Sequence, residues 1–173
     1  NTIEKNLNDN GVLRLSLNRP DTLNAMNADL IMGLLEGLNE AKADKKVRSI
    51  IITGNGRGFC SGADLVDCGW PKTRGLTGGE AGAITMENAF NPLVKAITQS
   101  TKPVVNAING MAAGGGVGLA LTGDIVVAAE SAKFKLVFGP NLGIISDVGA
   151  SWFVPNLIGR ARANGMGLLG EDI

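Results

Sequence analysis

Three places in the sequence combine residue types that can do chemistry. In Asn109-Gly-Met-Ala-Ala-Gly-Gly-Gly-Val-Gly-Leu-Ala-Leu-Thr-Gly-Asp-Ile125 an apolar strand runs into three consecutive glycines that open a helix. Glycine has no Cβ to block close approach, and the first N–H groups of a helix are unpaired at the positive end of its dipole. Such a corner either packs strand against helix tightly or presents backbone donors to an oxyanion. A second corner, Gly58-Phe-Cys-Ser-Gly-Ala-Asp64, follows another apolar run with similarly small residues. The third place is Asp147 in Gly143-Ile-Ile-Ser-Asp-Val-Gly149. A carboxylate there can take up and return a proton; alternatively Ser146 or Asp147 caps a helix that begins near Val148.

The chain contains no histidine, which removes Ser-His and Cys-His nucleophiles and imidazole metal ligands together. Gly58-Phe-Cys60-Ser-Gly62 has the spacing of a nucleophile elbow but lacks its base. Cys60 and Cys68 form no Cys-x-x-Cys pair and read as reduced thiols. Gly54-x-Gly56 is followed by Phe59, and Gly114-x-Gly116 by Leu119, where a dinucleotide fingerprint needs its third glycine; a Walker lysine is missing too. No metal and no separate cofactor are expected.

At 173 residues and 45% hydrophobic side chains, the chain is read as one domain, 1–173, with a buried core. Sixteen Lys plus Arg balance sixteen Asp plus Glu, so no net field draws it to nucleic acid or an acidic membrane. Apolar runs are short and the N-terminus has no signal-peptide layout, so a cytoplasmic location is expected.

The elements that must hold these residues are read as strands alternating with helices. Gly11–Leu17 alternates like a strand, 28–43 carries Leu30, Ile31, Leu34, Leu35, Leu38 and Ala41 at helical spacing, and 47–53 reads as a buried strand. Residues 66–79, with Gly69, Gly75, Gly78, Gly79 and Pro71, read as a mobile surface loop, followed by a helix over about 80–99. A strand over 101–108, the glycine corner with its short helix through Leu121, a strand over 124–129 and an edge segment within 131–137 come next. Gly139–Gly143 breaks the chain, and helices are expected over 148–157 and 160–169. This alternation predicts an α/β fold with its ligand at strand-to-helix corners; no exact internal repeat is visible.

The sequence resembles the crotonase, or enoyl-CoA hydratase/isomerase, superfamily over nearly its whole length. The resemblance rests on six segments in order: Leu17-Asn-Arg-Pro-Asp-Thr-Leu-Asn-Ala-Met26, Arg57-Gly-Phe-Cys-Ser-Gly-Ala-Asp-Leu65, Lys102-Pro-Val-Val-Asn-Ala-Ile-Asn-Gly110, Ala113-Gly-Gly-Gly116, Gly123-Asp-Ile125 and Leu142-Gly-Ile-Ile-Ser-Asp-Val-Gly149. It implies a spiral of ββα units binding an acyl-CoA thioester, whose oxygen would lie between the N–H groups of Ala63 and Gly115. Ser61, Gly62, Ala63, Asp64 and Leu65, with Gly114 and Gly115, would contact substrate and coenzyme A, the latter arriving as part of the substrate. Asp64 itself reads as a turn residue bonded to nearby backbone rather than as a catalytic acid.

The resemblance also exposes two departures. Gly118 stands where the family's hydratases carry their first glutamate, and the stretch after Phe134 lacks the second and is one residue longer. Asp147 matches the aspartate of several isomerases and of an aryl-CoA dehalogenase. The expected activity is therefore double-bond or ring isomerisation with Asp147 as acid and base. Alternatives are hydration with atypical acids, dehalogenase-like attack, a non-catalytic acyl-CoA binder and an RNA-binding homologue. Glu80 and Glu87 read as solvated helix residues with a minor prospect of assisting proton transfer. Trp70, Met86, Phe90 and Trp152 read as packing or pocket-wall residues. The family continues beyond the position of Ile173 with helices that build a trimer, often paired into a hexamer; that region is expected to be missing here.

Overall fold

A computed structural model of the chain describes residues 1–67 and 75–171. Strand β1 (Ile3–Leu7) runs antiparallel to β2 (Val12–Leu17), with Ile3 opposite Leu17. Helix α1 (Ala28–Ala43) follows, capped by the Asn27 side chain, which accepts from the Leu30 N–H at 3.0 Å. Its buried face is Leu30, Ile31, Leu34, Gly37, Leu38 and Ala41, with Leu35 partly buried beside it.

From there the chain repeats a simple turn three times. Strands β3 (Ser49–Gly54) and β4 (Gly58–Cys60) lead to α2 (Gly78–Thr85), a π-helical turn (Met86–Phe90) and α3 (Asn91–Thr98). Strands β5 (Val104–Ile108) and β6 (Met111–Ala113) lead to α4 (Gly115–Ala120). Strands β7 (Ile125–Ala128) and β8 (Phe134–Lys135) lead through a second π turn (Phe138–Leu142) to α5 (Ala150–Ile158) and α6 (Arg160–Leu169). The first strand of each pair joins the sheet β1-β2-β3-β5-β7; the second joins β4-β6-β8. All pairings after β1 with β2 are parallel. This is the spiral of ββα units that the resemblance implied. Its repeat is invisible in sequence because the inner-sheet strands are only two or three residues long, too short for a periodic signature.

Several boundaries differ from those the sequence suggests. Strand β1 leaves no alternation to see, because Ile3 alone of its residues is buried. The helix expected over 80–99 is divided by its π turn. Helix α5 begins at Ala150 rather than near Val148, because Val148 and Gly149 both adopt left-handed backbone, φ +49° and +79°. The segment within 131–137 is the edge of the inner sheet, not of the larger one. Cys68, Trp70 and half of the expected loop, residues 68–74, lie outside the described residues. Among the described residues no helix is long and apolar enough to cross a membrane.

Candidate active site

The parallel pairing of β4 with β6 decides where the two small-residue corners go. Gly58 lies opposite Met111 and Cys60 opposite Ala112, so the chain leaves both strands side by side at their carboxyl ends. Gly62 (φ +99°) makes the contact between them: a Cβ there would come within 2.9 Å of the Ala113 oxygen and 3.2 Å of the Gly115 nitrogen. Gly116 presses against β4 so closely that a Cβ would lie 2.1 Å from the Cys60 oxygen. Glycine is thus a steric requirement at both corners.

The short bridge between Met26 and Ala63 orients the first corner. Met26 donates to the Gly62 carbonyl at 2.7 Å and accepts from the Asp64 N–H at 3.0 Å. Because successive peptides of an extended segment point to opposite sides, the intervening Ala63 N–H faces away from Met26. Ala63 and Gly115 both line a cavity of about 670 Å³, together with Ser61, Gly62, Asp64, Leu65, Gly114 and Asp147. The two donor positions, the acid and the residues expected to contact substrate therefore border one space. Met26, Met86, Phe90, Val137, Phe138, Leu142 and Ile144 supply much of its apolar wall. Both π turns contribute to that wall, as such turns often do at functional sites.

Asp147 enters this space from the third corner. Its Oδ1 lies 3.5 Å from where a Cβ on Gly115 would be, and the same position is 2.9 Å from Val148 Cγ2. That Oδ1 is buried and, among the described residues, without a hydrogen-bond partner. Burial pushes the carboxyl up to about 6, its own backbone N–H pulling the other way. The capping alternative is not what forms: the N-cap of α5 is Gly149, and no side chain caps it. Val148 holds a left-handed φ that costs a β-branched residue on the order of 1–3 kcal/mol, a strain found where surroundings over-determine the chain.

Asp64, by contrast, is committed to structure. Its Oδ1 accepts from the N–H groups of Val66 (3.0 Å) and Asp67 (2.8 Å), and its Oδ2 pairs with Arg19 Nη1 at 2.8 Å. The Asp67 N–H first, then Arg19 and the Val66 N–H, hold its carboxyl below the usual range. Arg19 also donates to the Ala25 carbonyl at 2.6 Å, tying the 19–26 segment to the corner. Buried Asn24 completes the clamp, accepting from the Arg19 N–H and donating to the Asn55 and Gly58 carbonyls. Sequence reasoning gave Arg19 and Asn24 no role; their signal was that both are polar residues within the first of the six resembling segments, 17–26.

Other candidates fall away. Cys60 is fully buried and its thiol is pushed up to about 12, which leaves it inert as a nucleophile. Glu80 forms a capping box with Thr77, accepting from its N–H and hydroxyl at 2.8 Å each. Exposed Glu87 accepts from Asn91 at 3.1 Å and, like Glu80, does not line the cavity. Met86 and Phe90 are wall residues as expected, but Trp152 is 70% exposed, neither packed nor lining the cavity, because α5 turns that face outward. At Gly118 a Cβ would meet the Val148 oxygen at 2.2 Å, so this backbone admits no side chain where a hydratase glutamate would stand.

A two-sheet ββα spiral enclosing an apolar cavity, with two backbone corners and one buried carboxyl, defines a crotonase-fold protein. The chain belongs to the enoyl-CoA hydratase/isomerase family, whose profile matches residues 8–173. It is 46% identical over 165 residues to the 1,2-epoxyphenylacetyl-CoA isomerase of Escherichia coli K12, covering 94% of this chain and 61% of that protein. Among solved structures it resembles the enoyl-CoA hydratase of Bacillus anthracis (TM-score 0.86, 32% identity, 100% of this chain and 64% of that one). It also resembles a monofunctional enoyl-CoA isomerase of Mycobacterium smegmatis (TM-score 0.77, 32% identity, 99% and 69%). The chain thus spans about three-fifths of the length of the curated isomerase.

Proposed function

We propose that the chain forms the catalytic core of an acyl-CoA isomerase that moves a double bond, or rearranges a ring, through an enolate. In this reading the thioester oxygen lies between the N–H groups of Ala63 and Gly115, and residues 61–65 with Gly114 guide the coenzyme A portion. Negative charge developing on that oxygen is met by two preset donors, each worth on the order of 2.7–4 kcal/mol of barrier. The stabilised enolate acidifies the neighbouring C–H; Asp147 takes that proton and returns it at another carbon.

The observation that carries this reading is the buried carboxyl beside Gly115, whose Oδ1 has no hydrogen-bond partner among the described residues, combined with a glycine at 118 too crowded for a second acid. Among the described lining residues the only other acid is Asp64, which Arg19 and two backbone N–H groups occupy. The name of the Escherichia coli relative supports isomerisation, while that of the Bacillus anthracis structure supports hydration with an atypical acid as the second reading. Exposed apolar side chains on α5 and α6, Trp152 and Leu168 at 70% and 74%, support association with further polypeptide, as in a homotrimer.

The test is a panel of 2-enoyl-, 3-enoyl- and aryl-acyl-CoAs assayed with the complete protein and with Asp147→Asn. Interconversion of 3-enoyl and 2-enoyl thioesters that disappears in the variant is the expected result. Unchanged turnover in the variant refutes the assignment of Asp147, and hydration alone, without isomerisation, refutes the isomerase.

A further inference from the structure

Gly115 and Gly118 stand three residues apart on α4 and therefore share a face. Both are filled by the same residue from the third corner. A Cβ on Gly115 would come within 2.9 Å of Val148 Cγ2; one on Gly118 would lie 2.2 Å from the Val148 oxygen, 2.8 Å from its carbonyl carbon and 3.0 Å from its Cβ. The contact at Gly118 is therefore with backbone, which cannot swing aside as a side chain can. Val148 is 4% exposed and left-handed, and Gly149 after it is left-handed as well. Two such residues in succession reverse the chain immediately after Asp147. The strained turn persists because α4 receives it.

We propose that Gly118 and Val148 are positioning residues for the acid: the bare helix face at 118 seats the Val148 peptide, and that seat holds the Asp147 carboxyl beside Gly115. The inference rests on the reading of Asp147 as the proton carrier and adds the device that aims it. It follows that an acid side chain at 118 and the present placement of Asp147 exclude each other, since any Cβ at 118 displaces Val148. Asp64, the other described acid of the cavity, is engaged by Arg19 and takes no part in this seat.

The experiment measures 3-enoyl-CoA isomerisation by the complete protein against pH in Gly118→Ala, Val148→Gly, Asp147→Asn and Gly165→Ala. Gly165 lies on α6, where a Cβ would meet open space, and serves as a control for the Gly-to-Ala change itself. Gly118→Ala is expected to lower kcat at least tenfold with KM changed less than about threefold. The acid limb of its kcat/KM profile moves from near 6 toward the ordinary carboxylate range as the carboxyl swings into solvent. Val148→Gly leaves the notch intact and suits a left-handed φ, so it keeps the fold accessible should Gly118→Ala not fold. It removes the Cγ2 and Cβ that pack on the Gly115 and Gly118 face and lifts the restriction on the turn's φ, and it is expected to reproduce the same split and the same limb shift, several-fold in kcat. Wild-type kcat and an unmoved limb in Val148→Gly, or in folded Gly118→Ala, overturn the proposal while an inactive Asp147→Asn leaves the proton-carrier reading standing. An active Asp147→Asn overturns that reading and this one with it.

Discussion

Asp147→Asn should make the protein more stable at neutral pH while abolishing turnover, and the gain should depend on pH in a defined way. The carboxyl is held near 6 in the folded state against an ordinary value of 3.8. A raised acid binds its proton more tightly when folded, so the penalty is absent below about pH 4, where both states are protonated. It grows between about pH 4 and 6, where only the unfolded chain ionises, and is constant above. At 1.36 kcal/mol per tenfold change in proton affinity the full penalty is at most about 3 kcal/mol. Partial contact with solvent reduces it, so about 1–3 kcal/mol is expected. The Asn amide introduces a buried polar group of its own, but that cost is the same at every pH. Urea denaturation of wild type and variant at half-unit steps from pH 4 to 8 reads the difference directly. At this chain length each kcal/mol also appears as about 2–4 °C in Tm. The stability difference between variant and wild type should climb from pH 4 to 6 and then level off. A difference that is flat across the range refutes the claim that burial, without a partner for Oδ1, governs this carboxyl.

Three further outcomes are expected. Loss of kcat/KM below about pH 6, with a limb of one proton, follows from a base that must be ionised to act, and initial-rate assays of isomerisation against pH check it. Arg19→Met leaves Asp64 charged and largely buried; denaturant titration should show a loss of about 2–4 kcal/mol, together with a raised KM from the loosened 61–67 corner. Gly116→Ala drives a Cβ into the Cys60 carbonyl, and the soluble yield and Tm should fall as for an overpacked core, by about 3 kcal/mol or more.

Where the sequence was readable, the reason was burial on one side. Helix α1 carries its apolar residues at unbroken helical spacing, and Ala28–Ala43 forms over the expected range. The two glycine corners were legible because close backbone approach leaves glycine no substitute, as Gly62 and Gly116 show. Strand β1 was illegible because a single buried residue makes no pattern. The beginning of α5 was misplaced because Val148, a β-branched residue, is a poor advertisement for a left-handed turn; only its seat against Gly118 explains it. Arg19 and Asn24 escaped notice for a related reason, since Arg19 pairs with the Asp64 carboxylate and Asn24 donates to carbonyls at the β3–β4 turn, partners that the fold rather than sequence proximity brings near.

The π turn at Phe138–Leu142 has a consequence for the shape of the cavity. Its Gly143 N–H reaches the Phe138 carbonyl, so the turn winds in one residue more than an α-turn and returns the chain to its path. A helix can absorb an insertion this way without losing its ends, yet every side chain within the turn faces a new direction. Phe138 and Leu142, the first and last residues of the turn, both wall the cavity just ahead of Asp147. Losing one residue from the turn would thus re-aim that wall while every residue type in it stayed the same.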